Sequence, residues 1–470
     1  MGHSSYLCVQ NRSMGFPLAF EERLRRQRGD AEDLLESIRG VASLSVRLNP
    51  GKVVGLEGLV DGAEVVPWCG EGRYLRERPN FTLMPQLHGG AFYVQEPSSM
   101  SLGAALDVAL PLIGGEPVCL DLCAAPGGKA TLLMSRVGKG GVVVANEVVR
   151  QRAWILRENV AKWGSASAIV TNRTAGQIGE SGVMFDLITV DAPCSGEGMF
   201  RKDAGAVSEW SEQGAAQCAV RQREILGAIW PALRAGGLMV YSTCTYNPEE
   251  NERNIDWLHD TYGARALELE LPAEVERIDT RAGVAYGFYP HKVRGEGFFL
   301  CLLRKGDDDG VVAVRRGKRQ VGQYRQYRGA LGCVEGLSVY QRGEELYGFP
   351  VGLSQRMVGL AEALDPLMAG VHVGTVMEKR GKVAVCPGAE LPLSMAYVRG
   401  SMAEVEVSLE VARKYLHGDA DIAVGEGVAD GWVVVTYGGL PLGFVKKMGG
   451  RVNNYYPKEW RIKMDIQKTI

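Results

Sequence analysis

From about residue 117 to residue 304 the chain alternates short, β-branched apolar runs with longer stretches of helical periodicity. That alternation predicts a parallel sheet covered by helices on both faces. The runs are VCLDLC, GVVVANE, FDLITVDAP and GGLMVYSTC, and each ends in small or polar residues. In open α/β sheets ligands collect beyond the carboxyl ends of the strands, so chemistry is expected at these four ends. Upstream, residues 16–94 hold a helical segment, the strand-like SLSVRLNP and a Gly-rich stretch, which predicts a small α+β module. Downstream, KGDDDG at 305–310 marks a boundary. After it come strand-like pieces such as VYQRGEELYGFP, and GWVVVTYGGLPLGFVKK predicts a hairpin turning at Gly438-Gly439. The expected units are 16–94, a main α/β domain over 95–305, an intermediate or linking segment over 306–390, and a β-rich domain over 391–470.

Composition narrows the class. A length of 470 residues suits several domains, at about 100 to 200 residues each. With 46% hydrophobic and 23% charged residues the chain reads as globular, and no apolar run approaches the roughly 20 residues of a membrane span. The first fifteen residues lack a basic start followed by an apolar stretch, so a cytoplasmic protein is expected. Ten cysteines without a CxxC argue for reduced thiols, against a disulfide framework and against a metal site. A monomer is expected. A formal net charge of −2 announces no polyanionic partner, so nucleic-acid binding has to rest on local patches. Residues 315–328 carry Arg315, Arg316, Lys318, Arg319, Arg325 and Arg328, which reads as a solvated linker. Residues 444–463 interleave Lys446, Lys447, Arg451, Lys458, Arg461 and Lys463 with Tyr455, Tyr456 and Trp460, a composition suited to phosphates and unpaired bases.

At the end of the first run, Cys123-Ala124-Ala125-Pro126-Gly127-Gly128-Lys129 turns from strand to helix on small residues that let a ligand approach the backbone. A P-loop would need glycine where Cys123 stands and Ser or Thr where Ala130 stands, and GxGxxG is absent. The second run ends at Asn146-Glu147, where a carboxylate can accept both ribose hydroxyls of an adenosine. A nucleoside-bearing cofactor fits this pair, although the glycines alone suit a ligand-free tight turn equally well.

The third and fourth runs end DAPCSGEG and STCTYNPE, placing Cys194 and Cys244 at neighbouring strand ends. Cys119, Cys218 and Cys301 read instead as small buried hydrophobes. Asn247-Pro248-Glu249-Glu250 has a capping Asn, Pro at the first helical position and Glu at the third, so a helix is expected to start beside Cys244. A helix N-terminus favours a thiolate, so Cys244 is expected to be the most reactive thiol.

CAAPGGK at 123–129, DAPCSGEGMFRKD at 191–203 and STCTYNPEENE at 242–252 resemble, in order, three signature motifs of the RNA cytosine-5 methyltransferase family. YVQEPSSM at 93–100 and YGFYPHKVRGEGFF at 286–299 resemble its flanking elements. The resemblance implies a class I, Rossmann-like methyltransferase domain that binds S-adenosylmethionine through residues 123–129, Glu147 and Asp191, with Arg152 a further candidate. It implies Cys244 as nucleophile and a product-releasing role for Cys194, whereas DNA cytosine methyltransferases use the thiol of a Pro-Cys such as Pro193-Cys194. Cytosine C5 is too weak a nucleophile to take a methyl group unaided. Thiolate addition at C6 makes it enamine-like, and Asp191 can assist at N3 with Lys129 steadying the carboxylate. Relatives often carry an acidic residue near 172–174 for the adenine amino group, and this chain has Asn172-Arg173-Thr174 there. The C-terminal GWVVVTYGGLPLGFVKKMGGRVNNYYPKEW resembles the PUA-type domain of the bacterial subgroup acting on 16S rRNA. That makes rRNA near the small subunit the expected partner, with tRNA the alternative. A methyltransferase acting on DNA or protein would explain the cofactor loop but not Cys244, and a noncatalytic RNA-binding factor would not need Cys194, Cys244, Asp191 and Lys129 intact.

Overall fold

The computed structural model describes residues 15–307, 335–379, 382–420, 422, 424, 425 and 427–466. The basic stretch 315–328 lies outside them. The centre is a sheet that runs, edge to edge, Glu276–Thr280, Gly283–Phe288, Phe298–Arg304, Leu233–Thr243, Phe185–Asp191, Val118–Asp121, Val142–Asn146, Ala168–Thr171 and Met368–Ala369, with Arg265–Leu267 joining Phe298–Arg304 off this path. The four apolar runs of the sequence form its parallel core together with a fifth strand, Ala168–Thr171, that the sequence pattern did not single out. Because side chains alternate along a strand, Val118 and Leu120 pack into one layer and Cys119 into the other, and all three are buried. The arrangement is the Rossmann-like α/β fold expected, with helices Gly128–Val137 and Arg150–Trp163 as crossovers.

The N-terminal region forms helices Leu18–Gln27 and Ala31–Ile38 and an antiparallel sheet ordered Val65–Val66, Cys69–Tyr74, Ser45–Leu48, Phe92–Val94. Its helices do not pack on that sheet. Phe20, Leu24, Leu34, Leu35 and Ile38 bury themselves against Phe200, Val207, Tyr246 and Tyr289 of the central domain. Leu337–Arg342, Glu345–Pro350, Val371–Lys379 and Lys382–Pro387 form a four-stranded antiparallel sheet accompanied by helix Ser354–Leu364, and Met368–Ala369 pairs with Ala168–Thr171 at the edge of the central sheet. In the C-terminal domain Gly431–Tyr437 and Leu440–Met448 make the expected hairpin. Gly438 and Gly439 have φ of 55° and 75°, the left-handed pair that a two-residue hairpin loop requires.

Candidate active site

Asp191 and Ser242 are direct partners on neighbouring parallel strands, so the chain segments that leave them start side by side. Cys194 lies on one and Cys244 on the other, and their sulfurs come within 3.2 Å. The segments are also pinned by the Gly198 N–H, which donates to the Cys244 carbonyl at 2.8 Å. A Cβ on Gly198 would fall 2.3 Å from the Gly297 carbonyl oxygen and 2.9 Å from that of Cys244, so this approach needs glycine. The Cys194 thiol is pushed well above its ordinary range by its hydrogen bond with Cys244, by burial, and by the nearby charges of Cys244 and Glu250. The shift favours the protonated form of the Cys194 thiol.

The helix expected to start at Pro248 starts later. Residues 248–251 form turns and the helix runs Glu252–Tyr262. Asn247 caps the turn instead, its Oδ1 accepting from the Glu249 N–H at 3.1 Å. Glu250 is not a helix-capping residue either. Its buried carboxylate turns toward Ser195, which follows Cys194.

Lys129 Nζ donates to Asp191 Oδ2 at 2.8 Å and stands 5.1 Å from the Phe298 ring centroid, while Ser242 Oγ donates to Asp191 Oδ1 at 2.9 Å. Burial works against the Lys129 ammonium, but the Asp191 carboxylate more than offsets it and holds its pKa above the usual value. Asp191 is thus fixed by both oxygens at the strand end from which the Cys194 segment leaves.

The Cys123–Lys129 loop folds over the end of the first strand. Gly127 has a φ of 124°, and helix Gly128–Val137 begins on the next residue. Arg47, wholly buried, braces the loop from the N-terminal module through Gly128 O at 3.0 Å and Thr131 Oγ1 at 2.6 Å. Arg152 links the two cofactor candidates, donating to Ala125 O at 2.8 Å and meeting Glu147 Oε2 at 3.4 Å. Val148 and Val149, 57% and 46% exposed, offer an apolar surface beside Glu147 that suits the face of a base. Burial pushes the Asp121 carboxyl up to about 7 despite a hydrogen bond from Thr189, and its Oδ2 is buried without a hydrogen-bond partner among the described residues. An orphaned acceptor, an apolar shelf and a glycine cradle at adjoining strand ends fit an adenosine-bearing cofactor with an amino group. Asn172 is taken up locally by the Glu147 and Val148 carbonyls, and Arg173 reaches Leu364 O and Asp365 in the intermediate region.

The chain matches the family model for 16S rRNA methyltransferase RsmB/F over residues 110–304. Residues 16–97 match the N-terminal domain of 16S rRNA methyltransferase RsmF, and 403–462 the methyltransferase RsmF PUA domain. Ribosomal RNA small subunit methyltransferase F of Escherichia coli O9:H4 (strain HS) is 32% identical over 476 residues, spanning 94% of this chain and 96% of the relative. The chain belongs to the RsmF family. Its counterpart in Shigella sonnei (strain Ss046) is 31% identical over the same spans. Among solved structures, a methyltransferase homolog protein from Pyrococcus horikoshii is 29% identical with a TM-score of 0.53, covering 62% of this chain and 96% of that one. NSun6 from the same organism, solved with SFG, shares the fold at TM-score 0.53 and 21% identity, covering 62% and 99%. As an RsmF-family member the chain is an S-adenosylmethionine-dependent RNA methyltransferase with a C-terminal PUA domain.

Within that PUA region the aromatic reading of 444–463 needs correction. Tyr456 and Trp460 are 2% and 8% exposed and pack in the core with Tyr415. Tyr455 is 42% exposed and meets Trp432, over which Lys446 Nζ sits at 4.9 Å. The accessible cation–aromatic cluster is therefore Trp432, Lys446 and Tyr455. Cys218 is also only partly buried, while Cys119 and Cys301 are core residues. Asp121, Ser242, Glu197 and Glu250 were missed from the sequence. Of these Asp121 carried a signal, a carboxylate ending an otherwise apolar strand.

Proposed function

We propose that the protein methylates C5 of a cytosine in 16S rRNA, acting in the cytoplasm, with Cys244 as the covalent nucleophile. The observation that carries the reading is the 3.2 Å approach of Cys194 to Cys244 beside the Lys129–Asp191 pair. The substrate follows the relatives, which are named as ribosomal RNA small subunit methyltransferases, over the tRNA alternative. Residues 123–129, Asp121, Glu147, Arg152 and Asp191 would hold S-adenosylmethionine, which supplies an electrophilic methyl group when bound. The Cys244 thiolate adds to C6 of the cytosine, forming the S–C6 bond and shifting an electron pair toward C5. Asp191, hydrogen-bonded to the Lys129 ammonium and Ser242, relays a proton to N3 as the ring takes up that electron pair, so no net negative charge is left on the base. Once C5 is methylated, its proton must leave and the S–C6 bond must break. A water positioned by the protonated Cys194 thiol takes that proton, N3 gives back its own through Asp191, and the Cys244 thiolate departs with its electron pair. A target base has to leave its stack for C6 to be reached from one face.

The test is incubation with methyl-labelled S-adenosylmethionine and separate small ribosomal subunits, extracted 16S rRNA, tRNA and DNA, followed by nucleoside analysis. The expected product is labelled 5-methylcytidine in 16S rRNA, lost in Cys244→Ala, with Cys194→Ala accumulating a covalent RNA–protein adduct. Label in another nucleoside, or full activity of Cys244→Ala, would overturn the mechanism.

A further inference from the structure

We propose that Glu250 is the positioning residue that holds Cys194 against Cys244, so that the releasing thiol meets the adduct formed by the nucleophilic one. This rests on the division of labour between the thiols proposed above. Glu250 is fully buried on the turn that follows Cys244. Its main chain is fixed there, the carbonyl accepting from Tyr241 Oη at 2.6 Å and Asn254 Nδ2 at 3.0 Å. The side chain crosses to the other thiol's segment. Oε2 accepts from the Ser195 N–H at 2.9 Å and Gln222 Nε2 at 2.9 Å, while Oε1 accepts from Ser195 Oγ at 2.5 Å. Asn247 Nδ2 adds a longer contact to Oε1 at 3.4 Å.

Those partners bracket Cys194 on both sides. Ser195 follows it, and Gln222 Nε2 also donates to the carbonyl of Pro193 at 3.0 Å, which precedes it. Ser195 Oγ lies 2.8 Å from Thr245 Oγ1, closing a second link to the residue after Cys244. The Glu250 carboxylate thus ties Ser195 and Gln222 to the turn at 247–250, and Gln222 and Ser195 carry the link on to Pro193 and Thr245. Burying a carboxylate is costly, and the cost is offset here by the donors that converge on it. What an apolar side chain does not supply is two acceptors at fixed positions for a main-chain N–H and a hydroxyl. Glu250 makes no hydrogen bond to either sulfur among the described contacts, so it acts through the segments it holds. Misplacement of a reacting group by about 1 Å costs on the order of 100-fold in rate.

The experiment compares wild type, Glu250→Gln, Ser195→Ala, Cys194→Ala and the double variant Glu250→Gln/Cys194→Ala, all full-length, on extracted 16S rRNA with labelled S-adenosylmethionine. Single-turnover label transfer reads adduct formation and methylation. Denaturing gels read release. In Glu250→Gln we expect release to slow at least tenfold with adduct accumulating, KM for RNA within twofold of wild type, and no further loss in the double variant. Ser195→Ala shifts release in the same direction by less, and decides the matter if Glu250→Gln does not fold. Wild-type release in Glu250→Gln and Ser195→Ala, or losses that multiply with Cys194→Ala, would overturn the proposal. If Cys194→Ala itself leaves no adduct while the other variants fold, the fault lies with the assignment of the thiols rather than with Glu250.

Discussion

Cys194 Sγ lies 3.2 Å from Cys244 Sγ, and Cys194 is held above the ordinary thiol range by that contact, by burial and by the charges of Cys244 and Glu250. The strongest upward influence on the Cys194 thiol is its hydrogen bond with Cys244, and the Cys244 charge adds to it. Cys244→Ala removes both. The Cys194 pKa is then expected to fall, moving the pH profile of its alkylation by iodoacetamide toward lower pH, as read by peptide mass spectrometry. A profile that stays put would mean that burial alone sets the value.

Lys129 and Asp191 meet at 2.8 Å with side chains 17% and 31% exposed. Lys129→Met keeps the stem against Phe298 and removes the ammonium, leaving Asp191 with Ser242. A fully buried pair broken on one side costs about 3–5 kcal/mol, and partial exposure here reduces that to about 1–2 kcal/mol. The larger effect falls on the reaction, where a displaced acid–base group lowers single-turnover methyl transfer by about 100-fold. Denaturant titration and label transfer on the same variant separate the two. A stability loss with undiminished transfer would remove Lys129 from the site.

The N-terminal helices grip the loop that follows Cys194. Arg23 Nη2 donates to Glu197 Oε1 at 2.6 Å, and the Glu197 side chain has no exposed surface. Trp210 Nε1 at 2.9 Å and the Tyr246 N–H at 3.2 Å complete its partners. Arg23→Ala leaves that carboxylate buried with neutral donors only, at a cost of about 3 kcal/mol. We expect a lower melting temperature and earlier proteolytic cleavage between residues 17 and 40 than in wild type. Unchanged protection of those residues would show that the apolar contacts of Phe20 and Leu24 suffice.

Four of the five parallel strands were legible because a strand buried on both faces leaves a continuous apolar run, as in VCLDLC and FDLITVDAP, and because glycine and proline punctuate the loops that follow. The thiols were legible for the same reason, since both sit just past such runs. Met368–Ala369 was not, because a two-residue edge strand has no period of its own and is specified by its partner Ala168–Thr171. The late start of helix Glu252–Tyr262 was hidden by a local signal that is sound in itself. Asn-Pro-Glu-Glu suits a helix start, and the competing bonds of Glu250 to Ser195 and Gln222 come from segments 55 and 28 residues away. Tyr456 and Trp460 failed as surface aromatics because composition does not tell which face of a domain a ring occupies.

Acid should loosen the contact between the N-terminal module and the PUA domain through His88. Its ring is 5% exposed, with Nε2 at 2.8 Å from Thr82 O and Nδ1 at 3.3 Å from Tyr456 Oη. Burial first, and the nearby Lys162 charge second, lower its pKa to about 3 in the folded protein. The unfolded chain takes up that proton near pH 6.5. Between these values the unfolded state binds more protons, so this contribution is complete above about pH 6.5 and is lost as pH falls toward 3, at about 1.4 kcal/mol per unit. His88→Gln can still donate to Thr82 O but does not titrate. From pH 7 to pH 5 wild type should lose about 2 kcal/mol more unfolding free energy than the variant, measured by urea titration at each pH. Parallel losses in the two proteins would mean that His88 is protonated in the folded state at pH 5 and that its environment is wetter than the packing around Tyr456 implies.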